Sequence, residues 1–164
     1  MIHTGRHTAT LEGDFVVFLL GARINRMWKL GAWLPVARAM TRMQREISGH
    51  PEIGCLHIES FNGRTTLSLQ YWRSFDHLER FARSPEWSHL EAWRDFNRLI
   101  RDSGDVGVWH ETYRVAAGQY EAIYASMPVF GLAGAGSHAS LSPSSTSATR
   151  IGRRGRDRAP VEAY

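Results

Sequence analysis

Asn62-Gly63 lies between two runs of alternating residues, about Ile53 to Phe61 and Arg64 to Arg73. An Asn-Gly pair between such runs is the residue choice of a type I′ hairpin turn, which needs positive φ at both central positions. A two-residue turn also dictates register. Paired positions sum to 125, so His57 faces Ser68, Cys55 faces Gln70 and Glu59 faces Thr66. Alternation then gathers Cys55, His57, Glu59, Thr66, Ser68, Gln70 and Trp72 on one polar face. Leu56, Ile58, Leu67, Leu69 and Tyr71 occupy the apolar one. A slip of one residue would reverse this sorting.

Around the hairpin the chain alternates strand and helix signals. Phe15 to Leu20 is short, apolar and partly β-branched, which reads as a buried central strand. Trp28 to Leu34 reads as a loop or an irregular helical start. From Pro35, Val36, Met40, Met43 and Ile47 recur at helical spacing, with Arg38, Arg42 and Arg45 on another face. Ser74 can cap a short helix through Leu78, Phe81 and Ala82, and Ser84-Pro85 opens another carrying Trp87, Leu90, Trp93, Phe96 and Ile100. Val106 to Val115 reads as a further strand, and Tyr120 to Ala125 as a strand or an extended arm. The order β-α-β-β-α-β predicts an α+β, ferredoxin-like domain with an antiparallel sheet. Residues 1–13 read as an N-terminal arm, 14–136 as the domain, and 137–164 as a disordered basic tail rich in Ser, Gly and Arg.

Charge and cysteine content narrow the function classes. The net charge is +4, but five arginines against Asp157 and Glu162 place +3 of it after Gly136. The near-neutral remainder argues against a nucleic-acid surface, and the tail arginines lack interleaved aromatics for base stacking. Cys55 is the single cysteine, so neither an intrachain disulfide nor a cysteine-based zinc site is available. The apolar run from Phe15 stops at Arg23, well short of the roughly 20 residues that a membrane helix needs. The plain reading is a cytoplasmic protein without a membrane segment. Gly131-Leu-Ala-Gly-Ala-Gly136 precedes the tail rather than a helix, so it is no dinucleotide fingerprint.

Four segments carry a resemblance: Phe15 to Leu20, Trp33-Leu-Pro35, Tyr71-Trp-Arg-Ser-Phe75 and Gly107-Val-Trp-His-Glu-Thr-Tyr113. With Gln70 to Ala82 they resemble the antibiotic-biosynthesis type of monooxygenase, whose members form a dimeric α/β barrel. Within it they resemble a narrower family named after a monooxygenase of the fungal fumagillin pathway. The resemblance covers about Gly5 to Gly136. It implies a homodimer, a pocket between sheet and helices in each subunit, and an oxygenase without metal or organic cofactor. The substrate it implies is a small aromatic or polyketide-like molecule that reduces O2 itself, with the protein supplying a base, positioning and a dry cavity.

The resemblance nominates Trp72 to position the substrate and Asn25 to hold an oxygen. His110 is the candidate base, since imidazole is the side chain that exchanges protons nearest neutral pH. Tyr113, Arg73, Trp33 and Gln70 are candidates for substrate contact. The competing readings are a packed aromatic for Trp72, a turn residue for Asn25 and a structural histidine for His110. His110 and Glu111 are adjacent in a strand, so they point to opposite faces and form no dyad. Cys55, His57 and Glu59 share a face but are an incomplete metal set. Haem is an alternative cofactor, because one branch of the superfamily degrades it. Here the expected ligand position is Glu91, with His89 two residues earlier on another side of the helix. A dimer that binds a small molecule without chemistry is the other alternative.

Overall fold

Phe15–Ile24 is apolar on both faces, and it takes a central place in a four-stranded sheet. The computed structural model describes residues 1–87, 90, 94, 96, 97 and 103–151. In chain order the elements are β1 (His3–Thr10), β2 (Phe15–Ile24), α1 (Leu30–Gly49), a 3-10 turn (Pro51–Ile53), β3 (Cys55–Phe61), β4 (Leu67–Trp72) and α2 (Phe75–Arg83). Then follow β5 (Val106–Val115), β6 (Tyr124–Met127), α3 (Leu132–Ala135), β7 (Ser137–Ser140) and α4 (Ser147–Arg150). The main sheet runs β3-β4-β2-β5 with every neighbour antiparallel. With α1 joining β2 to β3, this is the ferredoxin-like α+β arrangement that the element order predicts.

The hairpin register differs from the two-residue turn. His57 pairs with Tyr71, Glu59 with Leu69 and Cys55 with Trp72, with an irregularity between Cys55 and His57. The cause lies on β2. Thr66 N donates to Ala22 O at 2.8 Å, Ile24 N donates to Arg64 O at 2.8 Å, and Arg23 bridges Thr65. Residues 64–66 thus spend their backbone bonds on β2 instead of β3, and the turn lengthens. The expected polar face is therefore split. Ser68, Gln70 and Trp72 share one side with Val16, Phe18 and Leu20, while His57 and Glu59 share the other with Tyr71 and Leu69.

The side carrying Ser68, Gln70 and Trp72 is covered by helices. Val16, Trp72, Met43, Ile47, Ile53, Leu78 and Phe81 form its buried core. Met43 and Ile47 belong to the apolar stripe read from the sequence, and α1 begins at Leu30, five residues before Pro35. Ser74 caps α2 by accepting from His77 N at 3.3 Å, with Asp76 in the first turn and Arg80 and Arg83 in the last, as the helix dipole favours. Leu90, Arg94, Phe96 and Asn97 are helical, while Trp93, Ile100, His89 and Glu91 lie outside the described residues.

A second layer covers part of the opposite side. β6, β1 and β7 make a three-stranded antiparallel sheet. Together with α3 it buries Phe15, Ala9, Leu132 and Ala133 against Val17, Tyr71, Val115 and Tyr120. Ser137–Ser140, read from the sequence as disordered tail, is instead strand β7, because β1 supplies the ladder that its Ser-rich composition does not advertise. Ser147–Arg150 is a short helix whose Arg150 guanidinium pairs with Glu121, and residues 152–164 lie outside the described set. The glycine-rich run holds helix α3, which opens at Gly131 in the left-handed region at φ 58°.

Candidate functional site

A cavity of about 660 Å³ lies between the sheet and the helices, within the usual size range of small-molecule sites. Its floor follows from strand parity. Phe18 pairs with Gln70 on one side and Thr112 on the other, and Leu20 pairs with His110, so these side chains face the helices together. Val36, Met40 and Met43 of α1, Leu78, Phe81 and Ala82 of α2, and Phe96 close the apolar walls. The polar groups are few: Gln70, Thr112, His110 and the indole-bearing Trp109 from the sheet, and Arg38, Arg42, Glu79 and Arg83 from the helices. Arg83 is ion-paired to Glu79 at 2.8 Å.

The sequence candidates divide between this cavity and other places. His110 lines it from β5, exposed, with its ring 5.7 Å from that of Phe18. Gln70 lines it at 1% exposure. Trp72 is fully buried beneath it, packed 5.5 Å from the Phe81 ring, and its indole N–H donates to Gln70 Oε1 at 2.9 Å. Gln70 Nε2 in turn donates to Ser68 Oγ at 3.1 Å.

The remaining candidates lie elsewhere. Asn25 is exposed at the end of β2, where its amide donates to Gly104 O at 3.1 Å and closes a loop onto β5. Arg73 is exposed at the β4–α2 junction, held by its backbone to Gly54 O at 2.9 Å. Trp33 packs near Ala22 and Val106 and donates to Met27 O at 3.0 Å. Tyr113 is on the opposite sheet face, half exposed, and donates to Glu111 Oε2 at 2.5 Å. The Glu111 carboxylate raises the Tyr113 phenol pKa by accepting its proton in a hydrogen bond.

Cys55, His57 and Glu59 do not converge. His57 Nε2 lies 2.9 Å from Glu59 Oε1, while burial pushes the Cys55 thiol up to about 12. Among the described residues no three His, Cys, Asp or Glu side chains gather in a way that would hold a metal ion. Nor is any described helix long and apolar enough to cross a membrane.

Phe18, Met40, Leu78, Phe96 and Thr112 line the cavity but were not among the site candidates that the sequence offers. The helical stripe and the strand parity carried the signal for Met40, Phe18 and Thr112. Which helix closes over which strand is a tertiary matter that neither pattern states.

The model of the family described as Monooxygenase af470-like matches residues 15–132. The chain belongs to that family. The matched span runs from the first residue of β2 to the first residue of α3, so it holds the whole four-stranded sheet, α1, α2 and the cavity lining. β1, β7 and α4 lie outside it. Monooxygenase af470 of Aspergillus fumigatus is 31% identical to this af470-like chain over 124 residues, covering 69% of the chain and 43% of that relative. The chain therefore spans less than half of the relative's length. Among solved structures, SnoaB of Streptomyces nogalater, a cofactor-independent oxygenase, aligns at a TM-score of 0.44 and 14% identity, over 61% of this chain and 91% of its own. Rv0793 of Mycobacterium tuberculosis aligns at 0.40 and 14%, over 60% and 92%.

Proposed function

We propose that this chain is a monooxygenase acting on a small aromatic or polyketide-like molecule in the cavity between sheet and helices. It needs no metal or organic cofactor in this reading. The observation that carries it is the pairing, inside the family-matched span, of apolar walls with His110; of the proton-accepting side chains among the described lining residues, Glu79 is ion-paired to Arg83 and His110 is not paired. His110 removes an acidic proton from the bound molecule. The resulting carbanion gives its electrons to O2 and forms a C–O bond as a hydroperoxide. Loss of the second C–H proton and cleavage of the O–O bond then release water and leave a new carbonyl, so that the substrate CH2 supplies all four electrons. The dry walls from Met40, Leu78, Phe81 and Phe96 keep the reduced intermediate from solvent.

The same reading makes the protein a cytoplasmic homodimer. Leu19, Leu67 and Leu69 are only partly buried on the sheet side opposite the cavity, and Phe61 and Tyr113 there are 42% and 51% exposed. Those residues would pack against a second copy.

The test is O2 uptake by the full chain with a panel of enolisable aromatic ketones and polyphenols, after dialysis against chelator. Uptake of one O2 per product formed, with no visible chromophore in the protein, is the expected result. Tight ligand binding without O2 uptake would make it a non-catalytic binding dimer. A Soret band in the purified protein would replace the reading with a haem protein.

A further inference from the structure

Three polar side chains stand in a row where the sheet should be apolar. Ser68, Gln70 and Trp72 alternate along β4 at 0%, 1% and 0% exposure, and Trp72 packs in one core with Val16, Met43, Ile47 and Phe81. Polar groups so deep are costly unless their hydrogen bonds are made. The row makes them in one direction only. An indole N–H donates and never accepts, so Trp72 Nε1 at 2.9 Å requires the oxygen of the Gln70 amide, not its nitrogen. The amide nitrogen must then lie on the other side, and Ser68 Oγ receives one of its hydrogens at 3.1 Å. Turning the amide over would set N–H against N–H. The orientation of Gln70 is therefore imposed by Trp72.

An amide nitrogen carries two hydrogens, and among the described residues the second has no acceptor. Gln70 lines the cavity floor. We propose that Gln70 is a fixed hydrogen-bond donor that takes a carbonyl oxygen of the ligand, and that the Trp72–Gln70–Ser68 row makes the pocket select ketones. The site favours an acceptor-only oxygen. A ligand hydroxyl can accept the same bond, but its own proton then needs an acceptor, and next to Gln70 the lining is largely apolar, with Phe18, Met43 and Phe81.

Geometry gives the ligand an approximate length. Gln70 and His110 sit on strands flanking β2, displaced by two residues along it. Strand spacing and rise place their Cα atoms roughly 12 Å apart. A molecule touching both must extend across Phe18. This deepens the oxygenase reading and rests on it for one consequence: removing a proton toward His110 builds negative charge on the oxygen that Gln70 holds, so the donor binds the enolate more strongly than the ketone.

The test uses 1-tetralone, labelled with 13C at its carbonyl, and tetralin, the same skeleton without oxygen, on the full chain. The bound carbonyl stretch should move to lower frequency than in an apolar solvent. In Gln70→Met the shift should vanish and the tetralone-to-tetralin affinity ratio fall about tenfold, the size of one neutral hydrogen bond. Trp72→Phe, which frees the amide to turn, should broaden the band and give a smaller loss. An unshifted band in the wild-type protein overturns the proposal without any variant. An affinity ratio unchanged in Gln70→Met, or a cavity that takes neither compound, overturns it too. Turnover with an unshifted band would sink only the role of Gln70. A shifted band without O2 uptake on any ketone would leave Gln70 standing and sink the oxygenase reading.

Discussion

Gly134 of α3 lies against the imidazole of His57 on β3 so closely that a Cβ at Gly134 would stand 2.4 Å from His57 Cε1. This contact docks the second layer on the main sheet. The ring is not free to retreat. Its Nε2 lies 2.9 Å from Glu59 Oε1, and that same oxygen accepts from Gly131 N at 3.2 Å. Gly134→Ala should therefore cost about 1–3 kcal/mol, as overpacking of a filled site does. Urea unfolding measures it. The same change made in a His57→Ala background should cost clearly less, because the two residues share one space. Equal costs in both backgrounds would show that the layer docks some other way.

Asp105 joins the start of β5 to the loop after β2. Its carboxylate is 2.9 Å from Lys29 Nζ and 2.6 Å from Arg26 Nη1, while its carbonyl accepts from Asn25 N and Arg26 N. The hydrogen bond from the Lys29 ammonium is the largest effect on the carboxyl; burial opposes it, and Arg26 then adds to the lowering, so the group stays below its ordinary range. A depressed carboxyl stabilises the fold above the unfolded pKa, near 4, and the benefit is lost as pH falls through the folded value. Asp105→Asn should lower Tm most at pH 7, with the gap from wild type closing below about pH 4. A gap that stayed constant with pH would mean that the two cations contribute nothing through charge.

Cys55 tests the burial of the β3 edge. Its thiol is pushed up to about 12, chiefly by desolvation, and its Sγ–H points to His57 O at 3.6 Å. The thiolate is the reactive form, so labelling by a disulfide reagent at pH 8 should run on the order of a thousandfold slower than for a free thiol. Denaturant should restore one fast thiol per chain, since the chain has one cysteine. Rapid labelling of the native protein would place Cys55 in solvent.

The ferredoxin-like core was legible in the sequence because each of its elements advertises itself locally. The stripe ending in Met43 and Ile47, the Ser74 cap and the period-2 run of β4 need no knowledge of distant residues. Parity along single strands also held: Ser68, Gln70 and Trp72 share one side, and His110 and Glu111 point to opposite ones. The hairpin register was not legible, because Thr65 and Thr66 bond to Arg23 and Ala22, more than 40 residues away. The second layer was hidden for a related reason. β1 is largely polar and β7 is only four residues long, and their pairing with each other and of β1 with β6 is what makes them strands. The uses of Asn25 and Tyr113 depend on neighbours, Gly104 and Glu111, that residue type alone does not name.

His110 is where the oxygenase reading is most exposed to test. Its side chain faces the cavity across Phe18, and no described residue forms a hydrogen bond with it, so its ring is available to a ligand. If it is the base, His110→Gln should lower kcat by about 100- to 10,000-fold with KM nearly unchanged, because general-base help is felt in the transition state more than in binding. A substrate already ionised in solution should recover most of the loss, since the proton that His110 would remove is gone. Tyr113→Phe keeps the ring on the opposite sheet face and removes only a hydroxyl outside the cavity, so it should leave the rate within about twofold. Should His110→Gln instead raise KM alone, His110 would be a contact residue, and the proton would have to leave through solvent at the cavity mouth.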